Sequence, residues 1–281
     1  RHLFALGDHA YSQLLSTGQN QSIIFSGESA SGKTENFKRL LSYLMETAPT
    51  GSLGQKRPRI RPDQMTAVQT VLESFGHART MKNNNASRFG NVTELLYKQG
   101  ALSGFQIKDF LLEKSRVIMQ NAGERNFHIF YELCAGLPSA TKTKFGIKSA
   151  QNYFYLNQGK CLEIAGRSDE ERFTTVQNAL DTIGFSQDQQ HTVFRVLAAI
   201  LHLGNVFFRQ KKLPNEQEAV ELGGESEINW VAYLLQIDPD HLRDILTTKD
   251  TEVKSERAIV PLDINQALDV RDELAQLLYG Q

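Results

Sequence analysis

The sequence carries almost no net charge, few cysteines and no long apolar run. Its 31 Lys and Arg face 32 Asp and Glu, a net charge of −1, so no global field draws it to nucleic acid or to an anionic membrane. Its two cysteines, Cys134 and Cys161, have neither metal nor redox spacing and read as reduced thiols of an intracellular protein. No apolar stretch approaches the roughly 20 residues that cross a bilayer, so membrane insertion is not expected, and no signal peptide is visible. There is no internal repeat. What remains is 281 residues, 40% hydrophobic and 22% charged, an ordinary globular composition with material for one large domain or two smaller ones.

Against that plain background one segment stands out. Residues 27–34 read Gly27, Glu28, Ser29, Ala30, Ser31, Gly32, Lys33, Thr34, a full match to the phosphate-binding pattern G-x-x-x-x-G-K-[ST]. Glycines at 27 and 32 permit the tight turn that points successive N–H groups at phosphate oxygens. Lys33 can reach the terminal phosphates, and the Thr34 hydroxyl is placed to ligate Mg²⁺. The preceding Ser22 to Ser26 is a short apolar run of strand type. The following Lys33 to Met45 carries Phe37, Leu40, Leu41, Leu44 and Met45 at helical spacing. Strand, glycine loop and helix N-terminus together make an anion site, since the helix dipole and its unpaired N–H groups face the phosphate. A chance match in a glycine turn would lack these flanks.

The rest of the chain supplies context. Residues 8–17 predict a helix ended by Gly18. Residues 48–62 hold three prolines, two glycines and the basic Lys56, Arg57, Arg59 and Arg61, and read as a solvated loop. That patch is short and has no interleaved aromatics to stack bases, so no nucleic-acid partner is expected. Asp63 is the expected N-cap of a helix through Phe75, stopped near Gly76. Residues 91–97 and 105–112 predict a hairpin whose turn holds Gly100 and Gly104. Beyond residue 113 the pattern is mostly helical: around 126–133, over 169–183, over 186–203 with Gly204 as C-cap, and over 226–237 and 238–247, split at Asp238 and Pro239. His128 and His202 sit in apolar helical patterns without a second ligand at metal spacing and read as core histidines. The chain opens on Arg1 inside an amphipathic pattern and stops after another, so it reads as part of a longer protein.

A phosphate loop alone says that a nucleoside triphosphate binds; hydrolysis needs more. The asparagine-rich segment 82–90 can supply part of it. Ser87 offers a second hydroxyl for the metal, Asn83 an amide for phosphate oxygens, and Arg88 a guanidinium. By itself such a segment is equally a polar turn before a strand.

Its neighbours decide the matter. Residues 27–35 (GESASGKTE) and 83–90 (NNNASRFG) resemble the P-loop and switch I of the myosin motor domain. Residues 111–117 (LLEKSRV), 123–131 (GERNFHIFY) and 194–206 (FRVLAAILHLGNV) are similar to further words of that family, in its order. The resemblance implies an α/β fold: a P-loop NTPase core over residues 1–112, with a central mixed β-sheet flanked by helices, and a largely helical, upper-50-kDa-like region over 113–281. It implies an actin-activated ATPase, an ATP-dependent motor of the actin cytoskeleton, and a cytoplasmic location; the class itself is not given, although the run Asn36, Phe37, Lys38, Arg39 after the glycine loop and Ala86 suggest an unconventional one. In that reading residues 27–34 hold ATP, Thr34 and Ser87 ligate Mg²⁺, and Lys33, Asn83, Ser87 and Arg88 serve catalysis. Arg88 would pair with a glutamate of switch II, whose motif is not in this sequence, so the chain alone is expected to be inactive.

Filamentous actin is the implied partner, with light chains or calmodulin held by segments outside the chain. Residues 247–261 lie where the family carries an actin-touching hairpin, and Lys249, Lys254 and Arg257 are its candidate contacts. A mixed-charge solvated hairpin is the plain alternative. Residues 48–62 correspond to the family's loop 1, where length tunes ADP release. Two departures matter. Ala86 stands where a serine hydroxyl is usual beside the attacking water, which keeps open a second function, a nucleotide-regulated actin tether with little turnover. Ala30 stands where glycine is usual, which matters only if that position needs positive φ.

Overall fold

The computed structural model of the chain describes residues 2–47, 61–214, 218–253 and 256–281, with the backbone alone at 62, 252–253 and 256–258. The basic loop residues Lys56, Arg57 and Arg59 and the candidate Lys254 lie outside the described residues. The chain packs as two compact units, Arg1–Leu112 with Thr175–Gly184, and Glu113–Thr174 with Phe185–Gln281.

The first unit opens with helix α1 (Leu3–Thr17), which ends on Gly18 at φ +70° with the Gly18 N–H bonded to the Leu14 carbonyl. A left-handed residue costs glycine little, so it stops the helix there. Helix α2 (Lys33–Thr47) buries Leu40, Leu41 and Met45. Helix α3 (Pro62–Gly76) brings Met65 to the same cluster. Its start differs from expectation: Arg61, not Asp63, is the N-cap, because Pro62 takes the first helical position, where its fixed φ and missing N–H cost nothing. Asp63 sits in the first turn and accepts the Gln64 N–H at 3.0 Å. Lys38 of α2 pairs with Glu73 of α3.

Strands β1 (His77–Ala78) and β2 (Ala86–Ser87) pair antiparallel, and β3 (Gly90–Lys98) and β4 (Ala101–Phe110) form the expected hairpin. Its turn is tighter than predicted. Gln99 (φ +51°) and Gly100 (φ +78°) both take positive φ, the signature of a two-residue turn whose twist matches the strands. Gly104 therefore lies inside β4, at a register shift opposite Leu96 and Tyr97. Phe37, Leu95, Leu102, Phe105 and Ile107 pack on the cluster of Leu41, Met45 and Met65.

The expected central mixed sheet is not formed by the described residues. Every sheet among them is two-stranded and antiparallel. Residues 22–26, predicted as a strand, belong to no ladder, and Ile24 is 87% exposed. Apolar, β-branched residues supply strand propensity, but a strand needs a neighbour to bond.

The second unit is mainly helical: α4 (His128–Gly136), α5 (Ser139–Phe145), the short α6 (Phe154–Asn157) and the first half of α7 (Asp169–Ile183), followed by α8 (Gln187–Gly204). A hairpin of β5 (Phe208–Lys212) and β6 (Glu218–Leu222) follows, then α9 (Ser226–Leu235), α10 (Pro239–Thr247), the hairpin β7 (Thr248–Val253) and β8 (Glu256–Pro261), and α11 (Ile264–Tyr279). Helix α8 packs on α9 and α11, and its stretch from Leu197 to Gly204 is buried throughout. Side chains of Ser186, Asp238 and Asp263 cap α8, α10 and α11, as their positions before apolar periodic runs require.

Gly204 is not the C-cap that the sequence suggests. It is the last helical residue, and Asn205 caps the helix in a right-handed conformation. The glycine is needed for another reason: a Cβ there would lie 2.4 Å from Cδ2 of the buried Tyr155. The two histidines behave as core residues. His202 is 2% exposed, with Nδ1 2.7 Å from Glu227 Oε2 and Nε2 2.9 Å from the Phe145 carbonyl. His128 is fully buried. Residues 123–131 also have a structural role. Arg125 bonds Asp169 at 2.8 Å and lies 3.7 Å over the Tyr131 ring. Asn126 Nδ2 donates to the Val117 and Tyr155 carbonyls.

Candidate functional site

The loop at 27–34 turns as its glycines permit. Gly27 has φ +148° and Gly32 φ +86°, and the Ser31 N–H closes back on the Glu28 carbonyl at 3.3 Å. The first bond of α2 runs from the Asn36 N–H to the Gly32 carbonyl at 2.9 Å, so the loop ends at the helix N-terminus. Lys33 folds over the loop, its Nζ donating to the carbonyls of Gly27 at 2.7 Å and Glu28 at 2.6 Å. Residues 27–32 are exposed, and Lys33 and Thr34 are half-buried.

Ala30 is the unusual member. Its φ is +66°, so this position does use the left-handed conformation that favours glycine. A Cβ in that region costs roughly 1–2 kcal/mol. The loop therefore keeps the glycine-type turn at the expense of strain stored at its tip.

The second segment is built by short-range bonds. The Asn83 and Thr80 backbones exchange hydrogen bonds at 2.8 and 3.3 Å. Asn83 Oδ1 accepts the Asn85 N–H at 2.9 Å, which fixes its amide and leaves the Nδ2 hydrogens to donate elsewhere. Arg79 bonds Asn84 at 2.8 Å. The Arg88 N–H donates to the Gly76 carbonyl at 2.8 Å, tying the segment to the end of α3. Phe89 lies over Gly76 so closely that a Cβ there would be 2.4 Å from the ring. Nothing in the pattern of residues 82–90 marked Gly76 and Phe89 as partners; the two Phe-Gly pairs that bracket the segment were the available signal.

Lys33, Thr34 and Ser87 line one cavity of about 970 Å³ in the first unit. Phe25, Phe37 and Tyr97 are among its apolar and aromatic walls. Burial, with the neighbouring Tyr11 adding to it, pushes the Tyr97 hydroxyl up to about 12, so that wall stays uncharged. Ser87 donates its hydroxyl hydrogen to the Phe89 carbonyl at 3.1 Å, which leaves the oxygen lone pairs available to a cation. Asn83 and Arg88 are half-buried beside this segment and do not line the cavity. Ala86 is 3% exposed and does not line it either; a hydroxyl added there would point into protein in this conformation.

The donor set suits Mg²⁺ with a triphosphate. The cation prefers oxygen ligands, keeps several waters and takes few protein groups, which two hydroxyls provide. Among the described residues no group of three or more His, Cys, Asp or Glu side chains could hold a metal by itself.

The third candidate region lies in the second unit. Lys249 is exposed on β7, opposite Val260. Arg257 is on β8 opposite Glu252, with its side chain outside the described residues, as is all of Lys254. Among the described residues no helix is long and apolar enough to cross a membrane.

Comparison with known proteins gives these segments a common setting. The family described as myosin head (motor domain) matches residues 1–281. The chain is 44% identical over 279 residues to the human protein named unconventional myosin-XV, which covers 99% of this chain and 8% of that one. It is 38% identical over 280 residues to the myosin-I heavy chain of Dictyostelium discoideum, covering 99% of this chain and 12% of that one. It is 39% identical over 280 residues to myosin-1 of Arabidopsis thaliana, covering 99% and 23% respectively. The chain thus spans a small part of the length of these relatives. A match that runs from the first residue to the last takes in the glycine loop, the 83–90 segment and the buried words of the second unit alike, and the chain belongs to the myosin head (motor domain) family.

Proposed function

We propose that this chain is the nucleotide-holding part of an ATP-driven motor that works on filamentous actin. The observation that carries the reading is that Lys33, Thr34 and Ser87 line the same cavity, although 52 residues separate Thr34 from Ser87 in sequence. Backbone N–H groups of residues 27–34 and the N-terminus of α2 would bind the phosphates. Lys33, now held by the Gly27 and Glu28 carbonyls, would exchange one of those bonds for a phosphate oxygen. Thr34 and Ser87 would hold Mg²⁺, which when bound neutralises developing charge on the transferring group. Asn83 would orient phosphate oxygens, and Arg88 would couple closure of its segment to hydrolysis through a carboxylate supplied from elsewhere in the protein.

Actin contact through the hairpin of β7 and β8, with Lys249, Lys254 and Arg257 facing acidic side chains, belongs to the same reading. So do light chains or calmodulin on other segments, and a place in the actin cytoskeleton. No observation among the described residues favours the non-hydrolysing tether. The test is steady-state phosphate release by a longer protein carrying this segment, with and without filamentous actin. Turnover stimulated by actin is expected, and abolished by Lys33→Ala. Tight ATP binding with no turnover above background would sink the motor reading.

A further inference from the structure

We propose that the groove between α5 and α9 in the second unit docks an acidic polypeptide segment that carries one apolar side chain, a function separate from the nucleotide cavity. The groove has a volume of about 460 Å³ and is lined by Lys144, Ser226, Asn229, Trp230 and Tyr233. Its aromatic floor is fixed before anything binds. Gly146, the left-handed C-cap of α5 at φ +67°, lies so close that a Cβ would come within 2.7 Å of the Trp230 ring. The indole also stacks on the buried His202, centroids 5.4 Å apart and planes 14° apart. Tyr233 stands edge-on to Trp230 at 6.1 Å and is 54% exposed. A rigid, half-exposed aromatic pair is an inexpensive anchor site, because binding orders little that is not already ordered.

The side of the groove formed by α5 is basic. Lys144 lines it and Lys148 follows four residues later, both exposed, and residues 133–162 contain no Asp or Glu. The Phe145 ring meets His191 at 4.8 Å, which sets α8 beside the end of α5. Burial first, then Lys144 and Arg195, hold the His191 imidazole below its ordinary value, so both cations stand near it. Asp188, one turn earlier on α8, is the acid that offsets them. Near α9, Glu227 is taken by His202 and Glu225 by Arg243. Lys144, Lys148 and Arg195 join none of the ion pairs formed among the described residues, and Arg195 Nε is buried without a hydrogen-bond partner. Cations beside an aromatic floor, with Asn229 and Ser226 able to bond a peptide backbone, fit carboxylates on a chain better than a bare phosphate, which would leave the floor unused.

The chain has one tryptophan, and it is Trp230, so its emission reads this groove directly. The 281-residue chain is titrated with a synthetic glutamate-rich peptide holding one central leucine. The comparison ligands are the same peptide without leucine, a lysine-rich peptide with leucine, and inorganic tripolyphosphate. Saturable change in Trp230 emission is expected with the leucine-bearing acidic peptide, weaker binding without leucine, and none with the lysine-rich peptide. Lys144→Glu, at an exposed position, should weaken binding about tenfold or more with an unchanged thermal unfolding curve. Tyr233→Ser should erase the preference for leucine. Equal affinity in Lys144→Glu, no emission change with the acidic leucine peptide, or tripolyphosphate binding as well as that peptide would each overturn the proposal.

Discussion

Gly76→Ala tests how tightly the 83–90 segment is tied to the first unit. The new Cβ would lie 2.4 Å from Cδ1 and Cε1 of Phe89, whereas carbon atoms rest at about 3.5–4.0 Å. Ring or helix end must therefore move by about 1 Å. Overpacking of this kind costs about 1–3 kcal/mol. Alanine recovers up to about 1 kcal/mol of helix propensity, less at the last helical position. The net loss of stability should be about 0–3 kcal/mol, below the roughly 5–15 kcal/mol of a folded domain, which leaves the fold intact.

The site should suffer more than the fold. The Phe89 carbonyl accepts the Ser87 hydroxyl at 3.1 Å, and the Gly76 carbonyl accepts the Arg88 N–H at 2.8 Å. Displacement of about 1 Å at positioned groups costs on the order of 100-fold in rate. Denaturant unfolding of the variant, with Mg²⁺ titration of ATP turnover in a longer protein, separates the two effects. We expect a stability loss within that range, a much larger proportional loss of turnover and a raised Mg²⁺ requirement, with partial recovery on adding Phe89→Leu. Unchanged turnover and Mg²⁺ dependence, or a loss that Phe89→Leu does not relieve, would refute the coupling.

Three further outcomes follow from single positions. Ala30→Val, a β-branched residue at φ +66°, should destabilise the loop by at least about 1 kcal/mol, while Ala30→Gly should be neutral to slightly stabilising because relieved strain is offset by unfolded-state entropy; equal behaviour of the two in thermal unfolding would contradict the left-handed turn. Gly204→Ala should cost about 1–3 kcal/mol, since its Cβ meets a Tyr155 ring held by the 2.6 Å bond to Asp272, and a neutral denaturation midpoint would show that the ring can yield. Burial pushes the Cys134 thiol from 9.0 up to about 12, so it should resist alkylation that labels Cys161. The folded state holds that proton more tightly than the unfolded state, so its stabilising contribution is full below pH about 9 and falls by up to about 1.4 kcal/mol per pH unit above it. Cys134→Ala should flatten the alkaline limb of the stability profile, and an unchanged limb would assign that loss to other groups.

The helices were legible because their signals are local. Apolar spacing in α2 and α8, and Ser186, Asp238 and Asp263 ahead of their helices, can be read within one or two turns. What failed depends on partners distant in sequence. Residues 22–26 have the composition of a strand, but no strand among the described residues bonds them. The β5–β6 hairpin escaped notice for a related reason: Phe208–Lys212 reads as one apolar residue followed by polar ones, and its register is expressed in backbone pairs and the exposed Lys211–Glu221 contact at 3.7 Å. Glycine was the most ambiguous letter. Gly18 and Gly146 are left-handed caps, whereas Gly76 and Gly204 hold helical positions that neighbouring rings leave no room to enlarge.

The candidate site follows the same division between letters and places. Residues 27–34 name phosphate chemistry by themselves, since the pattern encodes its own turn. Residues 83–90 do not; Asn83 bonds the Asn85 backbone, and Asn84 and Asn85 bond the nearby side chains of Arg79 and His77, as in any polar turn. What separates a binding segment from a turn is that Ser87 lines the cavity of Lys33 and Thr34 while Ala86 beside it is buried. Adjacent strand residues face opposite sides, so a one-residue slip in the two-residue pairing of β1 with β2 would present Ala86 instead. The register His77↔Ser87 and Ala78↔Ala86, held by the Arg88–Gly76 bond, is therefore what makes the second hydroxyl available. This is why the close contact of Gly76 with Phe89, remote from any phosphate chemistry in the sequence, should govern the Mg²⁺ dependence of turnover.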